Sequence, residues 1–312
     1  MLRLTLTALL FSATTAAAFP ITVQSCDREV TFDAPPERAI SNDVNLTEMM
    51  LVLGLRDRMV GYTGISGWKT LDAEMRDGIA ELPELSEKYP PKEVLVGAEP
   101  DFFFAGWNYG MKVGGEVTPD TIAPFGIAVY ELTESCTHIM PMPEASMETM
   151  YRDILNLGAI FGVSDRAEAL VEGYRARLAE VMSAVDLAEP LRVFVYDSGE
   201  DAPFTAGSYA MPTALIEAAG GVNIMADLEK SWAVVGWEAV VERNPEVVVI
   251  VNYGDVTAEQ KIAFMRENAA FAEIDAVRNN RFVVLEYVEA TPGPRNIAAV
   301  ETLVAGFVRA GE

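Results

Sequence analysis

Two alternating patterns of apolar residues run along the chain and predict an α/β fold. Short apolar runs bounded by Pro, Gly or acidic residues are typical of strands buried in a parallel sheet, and they occur at residues 38–41, 59–62, 101–105, 126–131, 192–197, 246–251 and 281–285. Apolar residues at helical spacing lie between these runs, and they predict helices at residues 45–53, 118–125, 165–185, 212–219 and 296–309. Asn45 and Glu48 have the spacing of a capping box, which places the start of the first helix at Asn45.

One helix–strand unit occurs twice in the chain. The segments EVLVGAEPDFFFAGWNYG from Glu93 and EAVVERNPEVVVIVNYG from Glu238 have the same spacing from Glu to Pro, at Pro100 and Pro245. Each copy continues with an acidic residue, a buried strand and a Tyr-Gly turn. Ligands of open α/β sheets bind beyond the carboxyl ends of the strands. The repeat therefore predicts two similar lobes whose aromatic turns face a ligand.

A long amphipathic segment lies between the two copies, with apolar residues at helical spacing from Ala167 to Val185. A single long helix without a flexible glycine-rich linker predicts a stiff connection and limited closure of the lobes. We therefore divide the chain into a leader (residues 1–18), a first lobe (19–163), a linking helix (164–187) and a second lobe (188–312).

The amino terminus is typical of a cleaved export signal. Arg3 is followed by an apolar core and by three alanines before Phe19. No later segment contains about 20 uninterrupted apolar residues, so we expect no membrane span. No Cys stands at the cleavage point to carry a lipid anchor. The protein is therefore predicted to be periplasmic.

The chain carries a strong negative charge. Its 23 basic and 47 acidic residues give a formal net charge of −24, and removal of Arg3 with the leader changes this to −25. Such a field opposes binding to nucleic acid and to anionic membranes. A cation, a neutral ligand or a basic partner surface is an electrostatically favourable binding partner for such a protein. An acidic surface that only keeps the protein soluble is the other interpretation.

The two cysteines, Cys26 and Cys136, are predicted to form a disulfide because export permits oxidation. The bond would tie a strand pair expected at residues 21–23 and 30–32 to the segment after residue 131. Free thiols at a metal or catalytic site are the alternative, which the presence of one histidine, His138, disfavours. Met140 and Met142 beside His138 are thioether ligands that suit copper, but prolines interrupt this segment and we expect no metal site.

Sequence signatures of the common enzyme classes are missing. The chain has no G-x-S-x-G turn, no Lys-Ser/Thr ending that would make a phosphate-binding loop, and no strong G-x-G-x-x-G after a strand. We therefore expect a binding protein without a cofactor of its own rather than an enzyme.

Four segments of the chain occur in a specific order and spacing, namely CDREVTFDAPPERAIS, NLTEMMLVLGLRDRMVGYTG, PFTAGSYAMPTALIEAAGGVNI and W-x-x-x-x-x-E-x-V-x-x-x-x-PEVVVI. Together they resemble the periplasmic ligand-binding proteins of iron-siderophore and cobalamin ABC importers. The resemblance covers essentially the whole exported chain. It implies two Rossmann-like lobes, one linking helix, a ligand in the cleft between the lobes, and no catalysis.

The resemblance also implies a partner. In this family one surface glutamate on each lobe docks onto arginines of a dimeric permease, which works with an ATPase. The matching positions are Glu93 and Glu238, the equivalent residues of the repeat. The alternative is that both are acids favoured by the positive end of a helix. We expect the binding protein to act as a monomer.

Candidate ligand contacts lie in the loops at the carboxyl ends of the strands. Aromatic side chains there can pack against an organic ligand, although some tryptophans could instead cap a sheet edge. Trp232 matches a position that contacts the ligand in cobalamin-binding members of the family. The candidates are Asn45, Trp68, Trp107, Asn108 and Tyr109 in the first lobe, and Tyr209, Met211, Trp232, Tyr253, Tyr287 and Arg295 in the second.

The cations near these loops suggest the class of ligand. Arg295 is the expected cation of the cleft, with Lys69 and Lys112 as companions, because a guanidinium binds the oxygens of a ferric chelate. A triply charged catecholate complex would need several arginines. A hydroxamate or mixed-ligand ferric siderophore is therefore expected. A corrinoid is the alternative, and haem or a free metal held by tyrosines is a further one.

Overall fold

The computed structural model describes residues 19–67, 69, 71–183, 185 and 189–311. The predicted leader and Trp68 thus lie outside the described residues. Two separate parallel β-sheets form the centres of two lobes, as the alternation of apolar runs and amphipathic segments predicts. The protein is therefore an α/β protein of two lobes.

The first lobe is built on a six-stranded sheet that follows an amino-terminal hairpin. Its strands lie in the order β5-β4-β3-β6, and β7 and β8 both pair with β6, all in parallel. The hairpin is antiparallel. The strands of the lobe are β1 (Ile21–Ser25), β2 (Arg28–Phe32), β3 (Ala39–Asn42), β4 (Met59–Thr63), β5 (Glu84–Ser86), β6 (Phe102–Trp107), β7 (Gly110–Met111) and β8 (Ala128–Glu131).

The second lobe contains a four-stranded parallel sheet in the order β11-β9-β13-β14. A short antiparallel pair, β10 and β12, stands apart from this sheet and was not predicted. The strands are β9 (Leu191–Tyr196), β10 (Phe204–Ala206), β11 (Gly221–Asn223), β12 (Trp232–Val234), β13 (Val247–Asn252) and β14 (Phe282–Glu286).

The helices alternate with the strands along the chain. The five helices predicted outside the repeat occur with shifted ends, and α3 and α8 are the helices of the two repeat copies, whereas α2, α5, α9, α10 and α11 were not predicted. The helices are α1 (Val44–Val52), α2 (Ala73–Gly78), α3 (Lys92–Gly97), α4 (Pro119–Ile122), α5 (Met147–Ile160), α6 (Ser164–Ser183), α7 (Met211–Ala218), α8 (Trp237–Arg243), α9 (Ala258–Glu267), α10 (Asp275–Arg278), α11 (Tyr287–Ala290) and α12 (Asn296–Gly311). Single 3₁₀ turns cover Arg56–Arg58, Ala123–Phe125, Thr133–His138 and Ala269–Phe271.

The predicted capping box at the start of α1 is wrong. The cap is Asp43, whose carboxylate accepts a hydrogen bond from the Val44 N–H at 2.6 Å. Asn45 lies inside the first turn and is fully buried. Asp43 has a φ of 75° and a ψ of 158°, a strained backbone conformation that residues other than glycine rarely adopt. This geometry turns the carboxylate toward the space between the lobes.

The two copies of the sequence repeat have the same backbone contacts. The residue before the shared Pro is left-handed in both, Glu99 with a φ of 49° and Asn244 with a φ of 41°. Arg38 Nε donates to the Glu99 carbonyl at 2.7 Å, and Arg192 Nε donates to the Asn244 carbonyl at 3.1 Å. The similarity of the copies therefore extends to individual hydrogen bonds.

The acidic residue of each copy holds the neighbouring strand in the same way. Asp101 accepts from the Arg38 N–H at 2.9 Å, and Glu246 accepts from the Arg192 N–H at 3.0 Å. These contacts fix β3 beside β6 and β9 beside β13, so that the two central strand pairs match in register. The prediction of one structural unit used twice is confirmed.

The long helix between the lobes is α6, and it packs against α5 on one side and α12 on the other. Ion pairs join it to both neighbours, from Arg175 to Glu148 at 2.6 Å and from Arg177 to Glu301 at 2.5 Å. It begins one residue before the predicted start and ends at Ser183. The boundaries that the sequence analysis placed between the first lobe, the linking helix and the second lobe stay a prediction.

One hydrophobic core extends through both lobes. It includes buried side chains such as Phe104 of β6, Ile154 of α5, Leu215 of α7, Val249 of β13 and Leu303 of α12. The lobes are thus joined by apolar packing as well as by the linking helix. This arrangement favours the limited closure that the sequence predicts.

The predicted disulfide between Cys26 and Cys136 is confirmed, with their Cα atoms 5.2 Å apart. It ties the turn of the β1–β2 hairpin to the 3₁₀ turn Thr133–His138. Among the described residues, none of the helices is both long enough and apolar enough to cross a bilayer.

Candidate functional site

A cavity of about 640 Å³ lies between the two lobes, at the carboxyl ends of the parallel strands. This is the position at which α/β sheets bind their ligands, and the volume lies in the range of small-molecule sites. The first lobe contributes Asp43, Lys69, Lys88, Tyr89, Asn108, Tyr109, Lys112 and His138. The second contributes Asp197, Phe204, Ser231, Trp232, Val251, Tyr253, Tyr287, Ala290 and Thr291.

Two aspartates occupy equivalent positions on the two walls of the cavity. Asp43 stands five residues after Arg38, and Asp197 stands five residues after Arg192. Each aspartate directly follows the last residue of its central strand, β3 or β9. Both line the cavity although both are nearly fully buried, with 2% and 5% of their surfaces exposed. Buried carboxylates require partners, and each aspartate has a lysine and a tyrosine nearby.

Asp43 joins the two lobes through its partners. Its Oδ2 atom forms an ion pair with Lys69 Nζ at 2.5 Å and accepts a hydrogen bond from the Tyr287 hydroxyl at 3.0 Å. The Lys69 ammonium also lies 4.4 Å from the centre of the Tyr287 ring. Burial lowers the pKa of Lys69, and the Asp43 carboxylate opposes that effect. The first lobe thereby holds Tyr287 of the second.

Asp197 is held entirely within the second lobe. Its Oδ2 atom accepts hydrogen bonds from Tyr253 and Ser198, each at 2.8 Å. The buried Lys261 ammonium donates to the backbone carbonyls of Asp197 and Val251 at 2.5 and 2.6 Å. Burial raises the pKa of Asp197, while its hydrogen-bond donors and Lys261 act in the opposite direction.

Aromatic rings form much of the cavity wall. Tyr253 and Tyr287 lie with their ring centres 5.3 Å apart, so the aspartate networks of the two walls meet at these rings. Trp232 stacks on Phe204 with 5.7 Å between centres, and this pair is formed across the short β10–β12 ladder. Such faces favour contact with the apolar shell of an organic ligand.

The rim on the first lobe combines polar and cationic groups. The Tyr89 hydroxyl donates to the carbonyl of Asn108, whose amide lies 3.2 Å from His138 Nε2. Lys112 places its ammonium 5.6 Å from the centre of the Tyr89 ring. Lys88 lines the same part of the cavity. The first-lobe wall is therefore the cationic side of the site.

All four cavity tyrosines are neutral hydrogen-bond donors at neutral pH. Burial raises the pKa of each hydroxyl, and neighbouring carboxylates add to this effect. Tyr89, Tyr109, Tyr253 and Tyr287 donate respectively to Asn108, Glu134, Asp197 and Asp43. A tyrosine must lose its proton to bind a metal ion strongly, and in this structure each of these protons is used in a hydrogen bond to a protein oxygen.

Five of the candidate ligand contacts line this cavity, and so do two of the three candidate cations. Tyr109, Trp232 and Tyr253 line it, together with Asn108, Tyr287, Lys69 and Lys112, which accompanied them in the prediction. Trp68 lies outside the described residues. Whether any of these side chains contacts a ligand stays a prediction.

Other candidates lie in the core rather than at the cavity. Asn45 is fully buried and donates to the Pro292 carbonyl of the other lobe at 2.7 Å. Trp107 packs near the disulfide and donates to Glu131 at 2.8 Å, which matches the alternative of a tryptophan capping the sheet. Met211 is fully buried, and half-buried Tyr209 is not among the lining residues. A direct ligand contact is not the role that these surroundings favour.

The expectation that Arg295 is the cation of the cleft needs correction. Its Nε atom forms an ion pair with Glu48 at 2.6 Å, and its Nη1 atom pairs with Asp72. Both acids belong to the first lobe, so Arg295 joins the lobes outside the cavity lining. Burial raises the pKa of Glu48, and the pairing with Arg295 opposes this shift. The lysines of the first lobe are the cavity cations instead.

Sequence reasoning missed several cavity residues, including Asp43, Lys88, Tyr89, Asp197, Phe204 and Ser231. For the aspartates a signal existed, because RAISND and RVFVYD place an Asp at the same distance from the equivalent arginines. No comparable pattern marks Lys88 or Tyr89, which reach the cavity on a connection after β5.

The two glutamates of the repeat occupy matching exposed positions. Glu93 lies in the first turn of α3 and Glu238 in the first turn of α8. No group of three or more His, Cys, Asp or Glu that could hold a metal ion occurs in the described part of the chain.

Comparison with known proteins gives one consistent family. A model of the periplasmic binding protein family matches residues 41–288. A cobalamin-binding protein of Halobacterium salinarum is 25% identical over 301 residues, which cover 94% of this chain and 75% of that protein.

Solved structures agree with this match. A periplasmic binding protein from Veillonella parvula has a TM-score of 0.80 at 29% identity, covering 92% of this chain and 96% of that one. An ABC-type Fe³⁺-hydroxamate transport system structure from Saccharomonospora viridis has a TM-score of 0.79 at 26% identity, covering 93% and 99%. The matched segment contains both aspartate networks and the Trp232–Phe204 stack, and the chain belongs to the periplasmic binding protein family.

Proposed function

We propose that the protein is the periplasmic substrate-binding component of an ABC importer and that it captures a ferric siderophore of the hydroxamate or mixed-ligand type. The observation that carries this proposal is the interlobe cavity, in which a cationic wall faces an aromatic wall. A chelate with oxygen donors and an organic shell complements both walls.

Charge supports an anionic or neutral ligand. The whole chain has a net charge of −24, yet three lysines, Lys69, Lys88 and Lys112, line one wall of this cavity. Lys69 is already paired with Asp43, so the excess positive charge is small. A ferric complex with little or no net negative charge fits this balance better than a triply charged catecholate complex.

The tyrosines argue against haem or free ferric ion. Their hydroxyls donate to protein oxygens and their pKa values are raised by burial. Binding iron through a phenolate would require loss of such a proton and of its hydrogen bond. A preformed chelate needs only the faces of the rings and the donors at the rim.

A corrinoid is the second candidate. The Trp232–Phe204 stack offers a flat aromatic surface, and the relative from Halobacterium salinarum is described as a cobalamin-binding protein. A corrinoid with its nucleotide loop is much larger than the chelates, and a cavity of about 640 Å³ would enclose only part of it. We therefore rank the corrinoid second.

Delivery requires a partner, and we propose a dimeric inner-membrane permease with its ATPase. The matching exposed glutamates, Glu93 and Glu238, place one carboxylate on each lobe. A partner with twofold symmetry would present one basic site to each. In this scheme the leader directs export and is removed.

Tryptophan fluorescence of the exported chain tests the ligand class. The titrants are ferrioxamine-type and citrate-type ferric siderophores, cyanocobalamin and haemin, each corrected for its own absorbance. We expect saturable quenching by a ferric siderophore at micromolar concentration or below, and a reduced amplitude in the Trp232→Phe variant. Quenching by cyanocobalamin alone would move the assignment to corrinoids, and saturation by haemin alone would overturn the tyrosine argument.

A further inference from the structure

Glu134 is a buried carboxyl group directly behind the cavity. It lies in the 3₁₀ turn Thr133–His138 of the first lobe, and 6% of its surface is exposed. It does not line the cavity, but two residues that bind it do. The binding role proposed above does not use this group, so its position requires a separate explanation.

The Glu134 carboxyl group caps a helix of the opposite lobe. Its Oε2 atom accepts a hydrogen bond from the N–H of Met211, the first residue of α7, at 2.8 Å. Ala210 at the N-cap position provides no side-chain acceptor. Ser, Thr, Asp or Asn normally fills this role within the same chain segment. Here the missing cap is supplied across the lobe boundary.

The other carboxyl oxygen meets one residue from each cavity wall. Tyr109 of the first lobe and Ser231 of the second both direct their hydroxyls to Glu134 Oε1, at 3.5 and 3.4 Å. Both residues line the cavity. These bonds are longer than the usual range, so a small movement of either lobe strengthens or breaks them.

The 3₁₀ turn that carries Glu134 is firmly attached to the first lobe. Asp153 of α5 accepts hydrogen bonds from both the backbone N–H and the hydroxyl of Thr133, at 3.2 and 2.6 Å. Cys136 joins the turn to Cys26 by the disulfide. Glu134 therefore acts as a fixed point of the first lobe that reaches into the second.

We propose that Glu134 is a positioning residue that sets the relative placement of the two cavity walls, by capping α7 and holding Tyr109 and Ser231 through one carboxyl group. The proposal rests on the assignment of the interlobe cavity as the ligand site. A ligand that takes hydrogen bonds from Tyr109 or Ser231 removes them from Glu134 and so changes the state of this group.

Protonation gives the arrangement a measurable signature. The pKa of Glu134 is raised to about 8, mainly by burial and to a smaller extent by the charge of Asp153, and the donors Met211 N–H, Ser231 and Tyr109 oppose this shift. If the ligand takes over the hydrogen bond of Tyr109 or Ser231, Glu134 loses that donor and its pKa rises further. Ligand binding would then take up a proton, and affinity would fall as pH rises through the region around 8.

The first test needs no ligand. Amide hydrogen exchange is measured over residues 211–216 in the exported chain and in the Glu134→Ala and Glu134→Gln variants, with Glu116→Gln as the matched control on an exposed acid. We expect about tenfold or faster exchange at the start of α7 in Glu134→Ala, a smaller effect in Glu134→Gln because the amide oxygen can still accept, and none in the control. Unchanged exchange in Glu134→Ala overturns the proposal.

The second test uses ferrichrome, a neutral ferric trihydroxamate, titrated between pH 6.5 and 9. We expect the dissociation constant of the parent protein to rise several-fold over this range and that of Glu134→Gln to stay nearly constant. Glu116→Gln, the exposed control outside the cavity lining, should keep the parent slope. Equal slopes in the parent and Glu134→Gln overturn the linkage. If ferrichrome binds at no pH, the hydroxamate assignment fails and the exchange experiment alone decides the role of Glu134.

Discussion

At the scale of single residues, the sequence indicated which side chains could bind a ligand. It did not indicate which other residues those side chains contact in the fold. Tyr253 was expected in the cavity because it follows a buried strand at a Tyr-Gly turn, and it lies there. Arg295 and Asn45 were chosen by the same reasoning, yet both make contacts between lobes. Those contacts join residues about 247 positions apart in the chain, a separation at which local sequence patterns carry no information.

The Arg295 ion pairs lead to a prediction about stability. Substitution of Arg295 by Gln leaves the mostly buried Glu48 without its charged partner, and this should lower the free energy of unfolding by about 2 kcal/mol, less than for a fully buried pair because Arg295 is partly exposed. Urea denaturation at pH 7 measures the change. Adding Glu48→Gln to the variant should recover part of the loss. A midpoint unchanged by Arg295→Gln would show that the pair contributes nothing.

At the scale of elements, the repeat was the most informative feature of the sequence. Its Glu-to-Pro spacing predicted a helix and a strand in each lobe, and matching hydrogen bonds from Arg38 and Arg192 confirm the equivalence. Elements outside the repeat were harder to predict. The β10–β12 pair is only three residues long on each strand, too short for a period to be recognised. The start of α1 depends on Asp43, which caps the helix with a positive φ. The spacing of Asn45 and Glu48 resembles a capping box and therefore led to the wrong start.

The disulfide leads to a prediction at this scale. Replacement of Cys26 and Cys136 by serine, or reduction of the parent protein, should lower the free energy of unfolding by about 2–5 kcal/mol, because the bond closes a loop with a sequence separation of 110 residues. Denaturant unfolding with and without a reductant measures the loss. The double serine variant is the control, since a reductant should not affect it. Equal stability of the oxidised and reduced parent would contradict the prediction.

At the scale of the whole molecule, fold class and family follow from the sequence, while the ligand does not. Two lobes, a linking helix and an interlobe cavity were all expected. The set of cavity cations was only partly expected: Lys69 and Lys112 were candidates, whereas Lys88 was not, and the three lysines come from separate connections of the first lobe. Ligand selectivity depends on how such connections meet in space, and the spacing of residues along a chain does not determine that.

The exposed glutamates lead to a prediction for the assembled importer. Glu93→Gln and Glu238→Gln should each weaken binding to the permease complex about tenfold, and the double variant roughly a hundredfold, since the two residues lie on different lobes and their effects should be nearly additive. Binding to the cognate permease–ATPase complex in lipid nanodiscs measures the effect. Ferrichrome affinity should not change in these variants.

Glu242→Gln, an exposed acid on the same helix as Glu238, is the matched control for this experiment. It should bind the permease complex like the parent protein. Equal weakening by the control would show that overall charge, rather than two specific docking sites, governs the association.

The hydrophobic core that extends through both lobes has a consequence for the rate of transport. Each 100 Å² of apolar surface exposed to water costs about 2.5 kcal/mol. Wide separation of the lobes would therefore be rare in the isolated protein. A molecule held between them would consequently escape slowly on its own. Under the proposed function, the permease would therefore have to separate the lobes, and the rate of that separation would set the rate of unloading.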